Sequence, residues 1–345
     1  MPVTLKAAYQ NLFPIGAAIA PEWAYRPEFD SLITREYSSL TAENIMKPMM
    51  ILDHDATVAA GDPVNTVQNF AETDKMLTWA RERGIRMRYH VLVWHGQTPW
   101  WFFKENWSDD KDAPDASPEL VLKRMEAWIR DVMTHVNTCF PGVVYCWDVV
   151  NEAIEPEHGA PGLYRTKSPW YHILGEEFVP AAFRAARKYQ APDQQLYYND
   201  FNSFQPDKHE AIIALLKKLQ AENLVDGMGM QGHLQMEWPA IADFEKAARA
   251  YAALGLSLQV TELDIHCPTA LENGQTLLAE RYGELFGALV RMKRDGIDLR
   301  SVTFWGVTDR TSWLTGFRKE GSSPMLFDDT FAPKAAYDAV INAAK

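Results

Sequence analysis

The chain has 345 residues, 47% of them hydrophobic and 23% charged, a composition that excludes a disordered chain and allows a large core. Its formal net charge is −12, and its Lys and Arg residues form no basic run, which argues against a nucleic-acid partner. No apolar stretch reaches the roughly 18 residues of a membrane span, so we expect no membrane partner either.

Eight short apolar segments rich in β-branched and aromatic residues are predicted to be strands. In chain order they cover residues 13–19, 38–41, 87–93, 143–150, 195–198, 227–230, 257–260 and 302–304. Segments with helical periodicity lie between and after them, at 65–83, 118–137, 178–189, 206–222, 240–254, 277–294 and 334–344. Such alternation is typical of a parallel sheet with crossover helices. Because no linker divides the chain, we predict an α/β fold, a single (β/α)8 TIM barrel over residues 1–345, without a carbohydrate-binding module.

Polar side chains follow almost every predicted strand at its carboxyl end. A parallel barrel builds its active site at that face, so we expect these side chains to share one cleft. In strand order they are Glu43, Asn44 and Lys47; His90, Trp94 and Gln97; Asn151 and Glu152; Asn199 and Asp200; Gln231 and His233; Glu262 and Asp264; and Trp305, Asp309 and Trp313.

Two glutamates, Glu152 and Glu262, each end a predicted buried strand. Glycoside hydrolysis needs one carboxylic acid to protonate the leaving oxygen and a second carboxylate across the anomeric carbon. A separation of about 5–5.5 Å would make the second a nucleophile, with retention of configuration, and wider spacing would mean inversion. A strand-end carboxylate in an ion pair is the alternative for either glutamate taken alone.

His233 and Asp264 extend this hypothesis to a third and fourth side chain. A histidine held by one carboxylate can donate to another and keep it ionised, which would favour Glu262 as the anion. A purely structural histidine is the alternative. Metal binding by His90, His95 and His233 lacks a supporting spacing, so we expect no metal and no cofactor.

Seven segments between about residue 13 and residue 337 carry a resemblance to a known family. They are Glu43-Asn44-x-x-Lys47, His90-x-Leu92-Val93-Trp94-His95, Trp147-Asp148-Val149-Val150-Asn151-Glu152, Tyr198-Asn199-Asp200-x-Asn202, Gln231-Gly232-His233, Thr261-Glu262-Leu263-Asp264, and Thr303-Phe304-Trp305-Gly306-Val307-Thr308-Asp309 with Ser312-Trp313. In this order they resemble the retaining β-1,4-xylanases of glycoside hydrolase family ten. The resemblance implies an endo-β-1,4-xylanase acting on xylan or xylo-oligosaccharides.

The same resemblance implies a role for each site residue. Glu152 would be the general acid/base and Glu262 the nucleophile, oriented by His233 and Asp264. The residues implied to bind or enclose the sugar are Glu43, Asn44, Lys47, His90, Trp94, Gln97, Asn151, Phe201, Gln231, Trp305 and Trp313. Phe201 replaces the family's usual tyrosine, which would weaken or shift binding on the leaving side. Tyr89 replaces a frequent glycine and would either crowd the third strand or narrow the cleft.

The location of the protein is predicted from its cysteines and its N-terminus. Cys139, Cys146 and Cys267 cannot all pair and show no metal spacing, so we expect buried free thiols in a reducing compartment. The N-terminus has no apolar leader segment, and residues 168–175 look closest to the family's cytoplasmic branch, so we expect a cytoplasmic enzyme.

Two other functions stay open alongside the xylanase, and the oligomeric state is not predicted. One is a related barrel glycosidase acting on β-glucan or mannan, because a glutamate on the fourth and on the seventh strand is shared by such barrels. The other is a catalytically inactive barrel that binds sugar or inhibits a glycosidase. The retention of both Glu152 and Glu262 argues against the second alternative.

Overall fold

The computed structural model describes residues 3–159 and 161–345, in which strands alternate with helices. The strands are β1 (Ile15–Ile19), β2 (Ser39–Ala42), β3 (Leu52–Asp53), β4 (Val67–Gln68), β5 (Arg86–Tyr89), β6 (Val93–Trp94), β7 (Val144–Asn151), β8 (Gln195–Asp200), β9 (Gly227–Met230), β10 (His233–Gln235), β11 (Ser257–His266) and β12 (Leu299–Phe304). The helices are α1 (Leu5–Ala8), α2 (Pro21–Ala24), α3 (Pro27–Glu36), α4 (Pro48–Ile51), α5 (His54–Ala60), α6 (Ala71–Glu82), α7 (Pro118–Cys139), α8 (Pro169–Leu174), α9 (Phe178–Tyr189), α10 (Pro206–Ala221), α11 (Ile241–Ala252), α12 (Gly274–Arg294), α13 (Leu314–Phe317) and α14 (Ala335–Ala343). Short 3-10 helices lie at Trp100–Phe103, Glu105–Trp107, Pro156–His158, Pro161–Leu163, Gly175–Glu177 and Asp309–Thr311.

The chain forms two compact units, of which the first comprises residues 1–43, 201–205 and 228–345. Its strands are parallel and run in the order β10, β11, β12, β1, β2, and β9 also pairs with β11. Gly16 in β1 lies in register with Ser39 and Thr303 on the two neighbouring strands. A Cβ atom at Gly16 would come within 2.5 Å of Ser39 Oγ, so only glycine fits this close approach.

The second unit comprises residues 44–200 and 206–227. Its central strand is β7, which pairs in parallel with β5, β6 and β8. The predicted helix at 65–83 begins later than expected, at Ala71. The reason is that Val67 and Gln68 pair with β3 as an antiparallel strand, and the Val67 amide donates to Thr57 Oγ1 at 2.9 Å.

Strand β11 is the main departure from the predicted strand bounds. The sequence predicts a strand over 257–260, whereas β11 runs to His266 and every residue in it is buried. Its pairing with β12 changes register between Val260 and Leu263, which is how the strand continues past Glu262. Glu262 and Asp264 therefore lie within the strand, and alternate strand residues project from the same face.

The cysteines are free thiols in the described residues, and their burial is partly as predicted. Cys146 and Cys267 are buried. Cys139 is exposed, so the expectation of a buried thiol is wrong there, because this residue ends α7 where the helix leaves the core.

Across residues 3–159 and 161–345 we find no helix with both the length and the apolar character needed to cross a bilayer.

Candidate active site

Glu262 is fixed on β11 by the backbone of the segment that leads into β10. The Glu262 amide donates to the Gln231 carbonyl at 2.7 Å, and the Asp264 amide donates to the Gly232 carbonyl at 3.3 Å. Gly232 has φ +83°, and a Cβ there would come 2.9 Å from Val260 Cγ1. Glycine at this point lets the two segments approach closely enough to pair.

His233 lies between two carboxylates of β11. His233 Nδ1 is 2.9 Å from Asp264 Oδ1, and Nε2 is 3.2 Å from Glu262 Oε2. The register of β10 and β11, which places His233 opposite Asp264, produces this arrangement. The Glu262 side chain is 6% exposed, so its charge depends on the protein for stabilisation.

The two carboxylates determine the charge of His233. Burial alone would lower the pKa of this imidazole, but the charge of Asp264, the hydrogen bonds to Asp264 and Glu262, and the charge of Glu262 raise it to about 10. At neutral pH His233 is therefore an imidazolium that donates through both ring nitrogens. An imidazolium beside a carboxylate favours the ionised form of that carboxylate, which is the form that a nucleophile needs.

Two tryptophans enclose His233 in the same unit. Trp313 Nε1 donates to Asp264 Oδ2 at 2.8 Å, and its ring meets the imidazole edge to face with centroids 5.2 Å apart. Trp305 is a second edge-to-face neighbour at 6.4 Å. Both oxygens of Asp264 are thus bonded, one to His233 and one to Trp313, which holds the ion pair in a single geometry.

Glu152 is the first residue after β7 and has an unusual backbone conformation. Its φ is +56°, in the left-handed region that non-glycine residues seldom adopt. The Glu152 amide donates to the Asn199 carbonyl at 2.9 Å, and the Glu152 carbonyl accepts from Arg165 Nε at 3.0 Å. Conformations of this kind persist where the surroundings fix them, and they concentrate at functional sites.

The Glu152 carboxyl group accepts hydrogen bonds from neutral donors. Trp94 Nε1 donates to Oε2 at 3.1 Å, and Asn151 Nδ2 donates to Oε1 at 3.2 Å. Asn151 is itself oriented by Asn199, whose Nδ2 donates to Asn151 Oδ1 at 2.9 Å. The Nε2 atom of His95 is 3.9 Å from Glu152 Oε2. The indole and the amide fix the carboxyl group in place through neutral hydrogen bonds.

Behind Glu152 lies a buried chain of polar side chains. Tyr198 Oη accepts from the amides of Ala153 and Ile154 at 3.1 and 3.3 Å and donates to Asp200 Oδ2 at 2.5 Å. Asp200 Oδ1 is 2.8 Å from Lys208 Nζ, and both side chains are almost completely buried. Burial raises the pKa of Asp200 to about 6 against the opposing effects of Lys208 and Tyr198, and the charge of Glu152 raises it further.

Three of the predicted sugar-binding residues form one cluster. Lys47 Nζ donates to Asn44 Oδ1 at 3.0 Å and to Gln97 Oε1 at 2.8 Å, and Gln97 Nε2 donates to Asn44 Oδ1 at 3.2 Å. The Lys47 ammonium also lies 4.9 Å from the centroid of the Trp94 ring. Binding of sugar hydroxyl groups by these three residues stays a prediction.

His90 is oriented by a buried ion pair. His90 Nδ1 is 2.9 Å from Asp148 Oδ2, and Arg88 Nη2 is 2.5 Å from Asp148 Oδ1. Burial alone would lower the pKa of Arg88, but the charge of Asp148 raises it, so the guanidinium stays charged. Tyr89, which lies between Arg88 and His90 in the sequence, is fully buried against Trp147, with ring centroids 4.6 Å apart. Its side chain therefore adds to the packing around β5 and does not form the wall of an open cleft.

The other predicted binding residues are placed by their strands. Glu43 and Phe201 directly follow β2 and β8, and both are partly exposed. Gln231 follows β9 and is buried, with its carbonyl on the Glu262 amide.

Among the residues that the structure describes, no group of three or more His, Cys, Asp or Glu side chains is arranged to hold a metal ion.

Sequence reasoning assigned no role to Tyr198 or Lys208, and it placed Asp200 among the cleft side chains, which is wrong because Asp200 is fully buried. Lys208 carried a usable signal. It falls on the apolar stripe of α10 that also presents Ile212, Leu215, Leu216 and Leu219. A lysine on the buried face of a helix needs a buried anionic partner, and the nearest polar strand end, at Asp200, supplies it. Arg165, which binds the Glu152 carbonyl, lies in a loop whose path the sequence does not predict.

Comparison with known proteins gives consistent matches. The family model for glycosyl hydrolase family 10 matches residues 4–343. Endo-1,4-beta-xylanase B of Butyrivibrio fibrisolvens is 40% identical over 99% of this chain, which spans 53% of that protein. Xylanase B from Clostridium stercorarium F9 has a crystal structure that superposes with a TM-score of 0.85 at 34% identity, over 99% of this chain and 100% of that one.

An intracellular xylanase from Thermoanaerobacterium saccharolyticum, solved as a mutant in complex with xylotriose, superposes with a TM-score of 0.85 at 30% identity. This match covers 99% of the present chain and 98% of that one. The chain thus spans about half the length of the curated relative from Butyrivibrio and almost all of the two solved structures. Sequence identity at this level, over almost the whole of this chain, is evidence for a shared fold and a shared family.

Proposed function

Because the chain belongs to glycosyl hydrolase family 10, we propose that it hydrolyses the β-1,4 linkages of xylan and xylo-oligosaccharides with retention of configuration. The predicted family, the (β/α)8 fold class and the class of enzyme, an endo-1,4-β-xylanase, are confirmed. The assignment of roles to individual residues, the preferred substrate and the location in the cell are parts of the proposal.

One contrast between the two glutamates carries the assignment of roles. Glu262 is bonded to an imidazolium, whereas Trp94 and Asn151 donate neutral hydrogen bonds to Glu152 and His95 Nε2 lies further off, 3.9 Å from Oε2. Carboxyl groups in such different environments are suited to different protonation states. Glu262 suits the permanent anion that attacks carbon, and Glu152 suits the group that must release and regain a proton.

In the first step of the proposed reaction Glu152 protonates the leaving oxygen while Glu262 attacks the anomeric carbon and forms a glycosyl-enzyme. In the second step Glu152, now ionised, removes a proton from water, and the water displaces Glu262. The imidazolium of His233 stabilises the carboxylate that departs in this second step. Asp264 and Trp313 keep the imidazole ring oriented throughout.

The sugar-binding groups follow from the same proposal. The cluster of Lys47, Asn44 and Gln97 offers both donors and acceptors to hydroxyl groups on the glycone side. We assign to Asn151 the hydrogen bond to the 2-hydroxyl of the reacting sugar, an interaction that strengthens in the transition state. The remaining proposed contacts are His90, Glu43 and Gln231, with the rings of Trp94, Trp305, Trp313 and Phe201 as stacking surfaces.

We further propose that the enzyme works in the cytoplasm on short, soluble xylo-oligosaccharides. Three free thiols, one of them exposed, support a reducing compartment. The likeness to an intracellular xylanase is a second support. Fractionation of the source cells with an antibody to the protein tests this location, and recovery of the protein from the culture medium would contradict it.

The experiment that tests the main proposal follows the first product by NMR. Hydrolysis of xylohexaose should release the β-anomer before mutarotation, and an initial α-anomer would contradict retention. Parallel assays on xylan, carboxymethyl cellulose and mannan identify the substrate. Packing alone discriminates between sugars by only about 1–3 kcal/mol, so weak activity on aryl cellobiosides is compatible with the proposal. A higher rate on mannan or cellulose than on xylan would replace it with a related glycosidase.

A further inference from the structure

The two backbone amides that follow Glu152 both donate to one phenol group, that of Tyr198. A tyrosine hydroxyl has one proton to donate and two lone pairs to accept with. Tyr198 uses both functions, since it accepts from the Ala153 and Ile154 amides and donates to Asp200. Because the phenol is fully buried, no bulk water is at hand to replace any of these bonds.

Asp200 and Lys208 fix the direction of the phenol proton. Asp200 is fully buried and, with Lys208 Nζ on its other oxygen, presents Oδ2 to Tyr198 as an acceptor. This forces the Tyr198 hydroxyl to point away from the backbone, which leaves its lone pairs for the two amides. The chain from Lys208 through Asp200 and Tyr198 therefore fixes the amide side of residues 153 and 154, while the Ala153 carbonyl accepts from the Arg165 amide at 2.8 Å.

Glu152 needs such a support because its own conformation is unfavourable. With φ at +56° the residue would relax towards the common regions if the following peptide groups were free to turn. A rotation of this kind would move the carboxyl group away from Trp94 and Asn151. A displacement of about 1 Å at a catalytic group can cost about a hundredfold in rate.

We propose that Tyr198, Asp200 and Lys208 are positioning residues for the acid/base Glu152, acting through the backbone amides of Ala153 and Ile154. The proposal rests on the function proposed above for Glu152. It concerns proton transfer alone, and the nucleophile Glu262 is bound by different residues, Gln231 after β9 and His233 on β10.

The test uses aryl xylobiosides that differ in their need for protonation. Tyr198→Phe should lower kcat/KM on phenyl xylobioside, a poor leaving group, by about tenfold to a hundredfold. On dinitrophenyl xylobioside, whose leaving group needs almost no protonation, kcat/KM should change little. On that substrate kcat should fall, because the second step needs Glu152 as a base.

Tyr197→Phe is the matched control on the same strand. Tyr197 is also fully buried, and its hydroxyl donates to Gln195 Oε1 at 3.1 Å. This variant should show no dependence on the leaving group, whatever it costs in melting temperature. Asp200→Asn should reproduce the Tyr198→Phe pattern, and Asp200→Asn with Lys208→Met should regain stability without regaining the rate on the poor leaving group.

Glu152→Ala in the same assay separates the two proposals. If Glu152→Ala discriminates between the leaving groups and Tyr198→Phe loses activity equally on both substrates, the positioning role is wrong and the assignment of Glu152 stands. Unchanged kinetics for Tyr198→Phe on both substrates would also show that the positioning role is wrong and would leave the assignment of Glu152 standing. If Glu152→Ala itself fails to discriminate, the assignment of the acid/base is wrong, and the positioning role falls with it.

Discussion

His233 Nε2 lies 3.2 Å from Glu262 Oε2, so the proposed nucleophile faces an imidazolium at its side. This relationship separates Glu262 from Glu152, which is bonded to an indole and an amide. This difference predicts distinct effects of mutations at Glu262, at Glu152 and at the buried groups that support each carboxylate.

The two glutamates should respond differently to removal. Glu262→Ala should abolish turnover of every substrate, because no glycosyl-enzyme can form without the nucleophile. Glu152→Ala should retain formation of the glycosyl-enzyme from dinitrophenyl xylobioside, which leaves without protonation. Added azide should speed turnover of that variant and yield the β-xylosyl azide. Equal inactivity of Glu152→Ala on activated and unactivated substrates would remove Glu152 as the acid.

His233 should contribute to the rate through its hydrogen bond to Glu262. A hydrogen bond to a charged group is worth about 1.5–3 kcal/mol, so His233→Ala should lower kcat/KM by about tenfold to a hundredfold. Asp264→Asn should have a similar effect, and the double variant should cost less than the sum of the two. Wild-type kinetics for either single variant, or strict additivity of the two effects, would show that His233 has only a structural role.

The raised pKa of His233 predicts a pH dependence of stability. In the unfolded chain a histidine titrates near about 6.5, whereas in the folded protein its pKa is about 10. The folded state binds the proton more tightly, so its contribution is full below about 6.5 and is lost as the pH rises through about 10. Urea unfolding of the wild type and of His233→Asn should differ most at mildly acidic pH. A difference that grows towards alkaline pH would contradict the assigned charge.

The separation of the two catalytic carboxyl groups is a geometric prediction. A retaining mechanism requires about 5–5.5 Å between the Glu152 and Glu262 carboxyl groups. A crystal structure of the enzyme with a trapped fluoro-xylosyl intermediate should show a covalent bond to Glu262 and a water near Glu152. A separation near about 9 Å, with water between the carboxyl groups, would indicate inversion instead.

The buried pair of Arg88 and Asp148 should be costly to break. Asp148→Asn leaves a charged guanidinium in a fully buried position, and loss of one partner of such a pair costs about 3–5 kcal/mol of unfolding free energy. It should also raise KM, because Asp148 orients His90. Asp298→Asn is the control, since its pair with Arg300 is about half exposed and should be worth at most about 1 kcal/mol. Equal losses of unfolding free energy in Asp148→Asn and Asp298→Asn would contradict the higher cost of breaking the buried pair.

The strand ends could be predicted from the sequence, because buried strands have a distinctive composition and the residue after each one is polar. This reasoning located Glu152 at the end of β7. It misplaced the end of β11, because Leu263 and Ile265 continue the apolar pattern past two buried carboxylates. Both are bonded to His233, which lies 29 residues from Glu262 and 31 from Asp264 in the sequence. Local pattern does not reveal such a partner. Lys208 differs, because its position on the apolar stripe of α10 indicates a buried anionic partner, and Asp200 lies nearby in the sequence.

Trp94 and Trp313 each combine two duties in one side chain. The indole nitrogen of Trp94 donates to Glu152 and that of Trp313 to Asp264, while both rings are proposed sugar walls. Replacing either by phenylalanine would keep most of the wall and take a hydrogen bond from a carboxylate. Attempts to evolve a new substrate range at these positions would therefore lose turnover along with selectivity. Mutant libraries that leave both indoles intact and vary Phe201 or Glu43 would separate the two properties.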